Sequence, residues 1–419
     1  MARIPDRPGF RERMEHVARR FNLRTIVEFL VVGICTLAFA LNAAGICVTL
    51  LTDNYAGDRD FVSYWSSGRQ LAQHADPYKG SAILQLERAV GFHLQTQPLI
   101  MRNPPPALLL VLPIGFLGVR SASLLWSLMM IASLVASVRM IAAMHDRSKS
   151  KLNILAYTFA PALSCLIAGQ MAIFVLLGLV LFLRLHQTRP LLAGAALWLC
   201  ALKPHLFLPF GLVLLVWIVL FRRYKIPLGA VLAFGLSNAV VLAMDPSAWT
   251  HYAQAMKAEH LEMQIIPCVS MVFRLIVSPR STWLQFVPAA LGCVWALAYF
   301  RRHRADWNWM EHGSLLMLVS LLVAPYSWCL DQAVLLPALL HALYKNRSRS
   351  LIGMFALLSA VIEFANFMGL PLRTMAVYLW TAPVWLVWYL CAIRSGEAPG
   401  EERGSPEIVG GVTAAFEKA

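Results

Sequence analysis

The sequence predicts an all-α polytopic membrane protein, a bundle of about twelve spanning helices with short amphipathic helices in its first external loop. Three observations carry that class. Hydrophobic residues make up 59% of the chain and charged residues only 14%, against about 25% charged in a soluble globular protein. Apolar runs of helical length recur from end to end, parted by short polar junctions. Lys and Arg gather in those junctions, as the positive bias of cytoplasmic loops requires. The net charge of +14 therefore reads as membrane topology, and nucleic acid is excluded as a partner. The eight cysteines are scattered, mostly within apolar runs, with no metal-ligand spacing, and read as small buried hydrophobes.

Residues 1–24 carry seven arginines and anchor the amino terminus in the cytoplasm. Span 25–51 follows, longer than a signal peptide's apolar core and without a cleavage site after it, so it reads as an uncleaved first span. The first external loop is then 52–121. Its stretch from Asp58 to Gly80 is polar sequence between apolar spans. It must meet water or a wet cavity, because each ionised group facing lipid costs about 2.5 to 3.5 kcal/mol. Within it Phe61, Tyr64, Trp65, Gly68, Leu71 and Ala72 recur at helical spacing and predict an interfacial helix, which Asp76-Pro77 stops. A second short helix is expected around Ile83 to Val90.

Asn103-Pro104-Pro105-Pro106 opens an apolar run to Val119 that is too short to cross, so 104–120 reads as a re-entrant or interfacial hairpin. Span 122–144 runs inward, and the basic junctions that follow set the rest. The spans are 152–168, 171–186, 190–203, 204–221 and 226–244, then a second external loop at 245–281 with a further interfacial helix, then 283–300, 312–326, 329–344, 351–369 and 374–393. Residues 25–394 thus form one transmembrane domain with both termini cytoplasmic, and the Gly-, Glu- and Pro-rich tail 395–419 reads as disordered. The polar corners Gly169-Gln170, Lys203-Pro204-His205 and Tyr326 to Asp331 all fall on the external side, which implies one membrane-level site there.

Asp60-Phe61-x-x-Tyr64-Trp65, Asp76-Pro77-Tyr78, Asn103-Pro104-Pro105-Pro106, Leu112-Pro113, Leu125-Trp126, Ala168-Gly169-Gln170, Leu202-Lys203-Pro204 and Pro325-Tyr326-Ser327-Trp328 together resemble glycosyltransferase family 87, over about residues 60–335. The resemblance implies the GT-C fold and transfer of a sugar, mannose or another hexose or pentose, from a polyprenyl-phosphate donor to an acceptor hydroxyl outside a bacterial inner membrane. The aspartate of the first external loop then acts as general base with inversion at the anomeric carbon, and the matching residue is Asp60. Two departures stand out. Cys329, Leu330, Asp331 and Gln332 follow Trp328 where the family usually has histidine, and Pro267, Cys268 and Val269 precede Ser270 in place of the usual asparagine and glutamine.

A sugar hydroxyl is a poor nucleophile and needs a carboxylate within reach of its proton, while a departing phosphate needs positive charge. Asp60 is the candidate base or, alternatively, an N-cap; Asp58 is the rival base. Lys203, His205, Arg274 and Arg102 are candidate donor-phosphate contacts, with a pair to an acid such as Asp331 the other reading of Lys203. Tyr64, Trp65, Tyr78, Gln170 and Asp331 are candidate substrate contacts; Trp65, Tyr78, Trp249 and Tyr252 are candidates for stacking on a sugar ring, with an interfacial aromatic belt the other reading of these four. Glu363, inside an apolar run, reads as paired within the bundle. No cofactor and no metal are expected. A flippase for lipid-linked glycans remains the alternative, and a polymerase or ligase of such glycans a third.

Overall fold

In the computed structural model the described residues are 59–94, 96–258, 265–346, 348–367 and 375–396, together with isolated helical positions between 30 and 44. The basic segment 1–24, most of span 25–51, Asp58 and residues 397–419 lie outside them. Among the described residues the chain is all-helical, with no strand. Among the described residues four helices are long and apolar enough to cross a membrane, Val119–Met144, Lys225–Met244, Thr282–His303 and Arg349–Asn366. The shorter apolar helices pack around them, and the chain is a helical membrane protein.

The polar stretch forms α1 (Arg59–Ala72), and α2 (Gly80–Ala89) begins at its end. A turn at His74, with φ of 54°, and Asp76, whose Oδ1 accepts from the Tyr78 N–H at 2.8 Å, separate them. Three prolines then lead into α3 (Leu108–Gly115), only eight residues long, which packs along α1. Contact this close depends on glycine, since a Cβ on Gly68 would run into the Val111 carbonyl and one on Gly115 into Gly68. The Trp65 indole N–H donates to the Leu117 carbonyl at 3.0 Å, and Arg69 to that of Gly115 at 3.2 Å. Helix α4 (Val119–Met144) follows.

The expected span 152–168 is two helices, α5 (Asn153–Tyr157) and α6 (Ala160–Ala168), broken at Thr158-Phe159 ahead of Pro161. Pro161 lacks the N–H that a continuous helix would need there, and the Ser359 hydroxyl accepts from the freed Ala160 N–H at 2.8 Å. Next come α7 (Ala172–Leu185), α8 (Pro190–Cys200), α9 (Leu208–Leu220) and α10 (Lys225–Met244). Helix α8 packs against both α7 and α10.

The segment 245–281 holds two helices where one was expected, α11 (Ala248–Ala258) and α12 (Val269–Val277). The remainder is α13 (Val287–His303), α14 (His312–Leu322), α15 (Leu336–Lys345), α16 (Arg349–Phe367), α17 (Met375–Tyr378) and α18 (Thr381–Gly396). Helix α18 extends past residue 394, so the expected tail begins inside a helix. Cys165, Cys200, Cys268 and Cys329 are buried and unbridged, while Cys391 is exposed.

Gly169 closes α6 in the left-handed region, at φ of +69°. A Cβ there would also run into Phe61 of α1. Gly169→Ala is expected to lower stability by about 1–3 kcal/mol, the usual cost of a strained non-glycine backbone, measured as a fall in the thermal unfolding midpoint of the detergent-solubilised protein.

Candidate active site

Six separated segments meet around a cavity of about 450 Å³, within the usual range for a small-molecule site of about 300–1,000 Å³. Helix α1 contributes Asp60, Ser63 and Tyr64, which share one face by helical spacing. The stretch before α3 contributes Leu99 to Pro104, including Arg102. The corner between α6 and α7 contributes Gln170, that between α8 and α9 contributes Lys203, Pro204 and His205, and the segment after α14 contributes Tyr326, Trp328, Leu330 and Asp331. Tyr252 of α11 completes the wall.

Asp60 lies in the first turn of α1, a helix that starts at Arg59. Its Oδ2 accepts from the Gln170 amide at 3.1 Å. Gln170 Oε1 in turn accepts from the Tyr64 hydroxyl at 2.6 Å and from the Met171 N–H at 2.9 Å. Burial, and then the neighbouring Asp60 carboxylate, push the Tyr64 phenol well above its ordinary range, so it keeps its proton. Trp126 fixes the same corner by donating to the Gly169 carbonyl at 2.8 Å.

Lys203 is buried, and its ammonium sits 2.5 Å from Asp331 Oδ1. The other oxygen of Asp331 accepts from the Trp328 N–H at 2.8 Å. Of the two readings of Lys203, the ion pair is the contact observed, and both oxygens of Asp331 are engaged by protein. Pro204 stops α8 short of the corner, as the residue before proline avoids the helical region. His205 stacks on Tyr326 with ring centroids 3.7 Å apart, and its buried Nε2 has no hydrogen-bond partner among the described residues.

The 99–104 stretch is held by its neighbours. Glu87 accepts from the Leu99 N–H at 3.0 Å, Tyr78 donates to the Asn103 carbonyl at 3.0 Å, Tyr252 donates to the Arg102 carbonyl at 3.4 Å, and the Asn103 amide donates to the Leu202 carbonyl at 2.7 Å. Asn103 and Tyr326 are not singled out by the sequence as individual site residues. Their signal lay in the motifs Asn103-Pro104 and Pro325-Tyr326, where a polar or aromatic side chain adjoins a proline turn.

The structure brings Asp60, Tyr64, Arg102, Gln170, Lys203, His205, Tyr252 and Asp331 to one cavity, and leaves Trp65, Tyr78, Trp249 and Arg274 off it. Trp65 is buried against α3, and Tyr78 is buried with its ring edge on Tyr252. Arg274 is buried within α12 and donates to the side-chain oxygen of Gln285 at 2.9 Å. The side chains of Trp65, Tyr78 and Arg274 are engaged in packing and in hydrogen bonds to protein oxygens. One group among the described residues has metal-ligand proximity, His303, Asp306 and His312 at the connection of α13 and α14. It does not line the cavity, and His312 Nδ1 already accepts from the Asn308 N–H at 3.1 Å.

A helical membrane protein with a carboxylate and two basic side chains converging on one cavity has the equipment of a group-transfer enzyme. The model of glycosyltransferase family 87 matches residues 102–325, more than half of the chain, and the chain belongs to that family. Membership implies a membrane glycosyltransferase with a sugar donor and an acceptor. The matched residues hold Arg102, Gln170, Lys203 and His205; Asp60 precedes them and Asp331 follows. No curated protein and no solved structure matches the chain.

Proposed function

We propose that this chain is an inverting glycosyltransferase of GT-C type in a bacterial inner membrane. It moves a sugar, mannose or another hexose or pentose, from a polyprenyl-phosphate donor to an acceptor hydroxyl on the extracytoplasmic side. Residues 25–394 form its transmembrane domain of about twelve spans, with cytoplasmic termini and the cavity at the outer leaflet. The observation that carries this reading is the convergence of Asp60, Arg102 and Lys203, from positions far apart in the chain, on one cavity.

In the reaction Asp60 accepts the acceptor's hydroxyl proton as that oxygen bonds to the anomeric carbon. The bond from that carbon to the donor phosphate breaks, and its electron pair leaves with the phosphate. An ammonium has three N–H donors; Asp331 takes one from Lys203, and the others are available to phosphate oxygens. Arg102 adds a second cation and His205 a hydrogen bond, while Tyr64 and Tyr252 present ring surface to the sugar.

Purified protein in detergent, given a labelled short-chain polyprenyl-phosphate mannose and membrane extract as acceptor source, is expected to move the label off the lipid. A flippase has no chemistry to perform without a bilayer, so an intact donor after prolonged incubation with folded protein would favour that alternative.

A further inference from the structure

We propose that Gln170 is the positioning residue of Asp60: the amide is locked by two donors on its oxygen so that its N–H holds the carboxylate in place at the cavity wall. The inference rests on the reading of Asp60 as base and adds what aims it. Gln170 itself then binds no substrate.

The orientation follows from hydrogen-bond chemistry. The Met171 main-chain nitrogen can only donate, and it lies 2.9 Å from Gln170 Oε1. The Tyr64 hydroxyl, which keeps its proton, donates to the same oxygen at 2.6 Å. Oε1 is therefore fixed on that side, and Nε2 must face Asp60 Oδ2, 3.1 Å away. The flipped amide would set N–H against N–H and oxygen against carboxylate. The arrangement is also shielded, since Gln170 is buried, and the turn at Gly169 that delivers it is pinned by Trp126 and seated on Phe61.

A donor aimed at the charged form of a carboxylate favours that form. Among the described residues the other titratable or charged groups facing the same cavity or coupled to it are Tyr64 on the helix of Asp60, Arg102 before α3, Cys165 of α6, Lys203 and His205 at the α8–α9 corner, Tyr252 of α11, and Tyr326 and Asp331 after α14. Cys165 donates its thiol to the Leu330 carbonyl at 3.1 Å, and Lys203 and Asp331 engage each other. Gln170 supplies the direct amide contact.

The test reads Asp60 without substrate. Infrared titration of the full chain in detergent follows the protonated-carboxyl band that is present in the wild type and missing from Asp60→Asn. In Gln170→Glu, where a second carboxylate meets Asp60, the midpoint is expected to rise by about one to three pH units. Near-isosteric Gln170→Met is expected to shift it upward by less, and Tyr64→Phe, which loosens the amide without removing it, by less again. The acidic limb of the pH–rate profile for transfer from polyprenyl-phosphate mannose is expected to move with these midpoints. Unchanged midpoints in folded Gln170→Glu and Gln170→Met overturn the inference, even if their rates fall, because a merely structural glutamine predicts that result. If Gln170→Glu does not fold, Gln170→Met decides. The base assignment fails separately, through an Asp60→Asn variant that still transfers sugar.

Discussion

Asp60→Asn is expected to lower sugar transfer by about 10²- to 10⁴-fold, the usual contribution of a positioned general base, with the unfolding midpoint nearly unchanged. The substitution is close to isosteric. The asparagine carbonyl can still accept from Gln170, and α1 keeps Trp65 and Arg69 fastened to α3. What is lost is the charge and the ability to take a proton. Placement within the first turn lets a carboxylate also benefit from the positive end of the helix dipole, worth about 0.3–1 kcal/mol, so a small stability loss accompanies the variant. A purely helix-stabilising Asp60 predicts that small loss and no change in turnover. Transfer assays on protein of verified fold separate the two roles.

The second large effect concerns Lys203 and Asp331. Removing one partner of a buried ion pair leaves an uncompensated charge and typically costs about 3–5 kcal/mol. Lys203→Met alone or Asp331→Leu alone should therefore lower the unfolding midpoint strongly. The double variant replaces both charges by apolar groups and should recover most of that loss. It should not recover all of it, because the Trp328 N–H loses its acceptor, and an unsatisfied buried donor costs about 1–3 kcal/mol. Transfer is expected to stay impaired in all three, since each lacks the aligned ammonium. Wild-type turnover in a restored double variant would mark the pair as structural and transfer the phosphate contact to Arg102 and His205.

Much of the fold was legible because it depends on local pattern. The period that predicted an interfacial helix from Phe61 to Ala72 produced α1, and Ile83 to Val90 became α2 almost in register. The polar corners at Gly169-Gln170, Lys203-Pro204-His205 and Tyr326 to Asp331 reach one cavity. Polar groups in an apolar bundle must find partners, and the cheapest partners are one another. Less legible were the features set by tertiary contact. The break between α5 and α6 needs Ser359, about two hundred residues onward, to satisfy the freed backbone. The sequence offers Lys203 and Asp331 each as a candidate ligand contact, with their mutual ion pair as the other role. Spacing along the chain does not reveal which of two buried charges meets protein and which meets ligand. Arg274, Trp65 and Tyr78 carry the same side-chain chemistry as cavity residues, and only the structure shows that their polar groups are taken up by other parts of the protein.

The most direct measurement is a cryo-electron microscopy structure of the protein with a non-transferable polyprenyl-phosphate sugar analogue. The donor phosphate should lie against Lys203 and Arg102, with the anomeric carbon facing Asp60 across a gap that admits one hydroxyl. Phosphate density outside this cavity, or a sugar turned so that Asp60 reaches neither the anomeric face nor an incoming hydroxyl, would contradict the account.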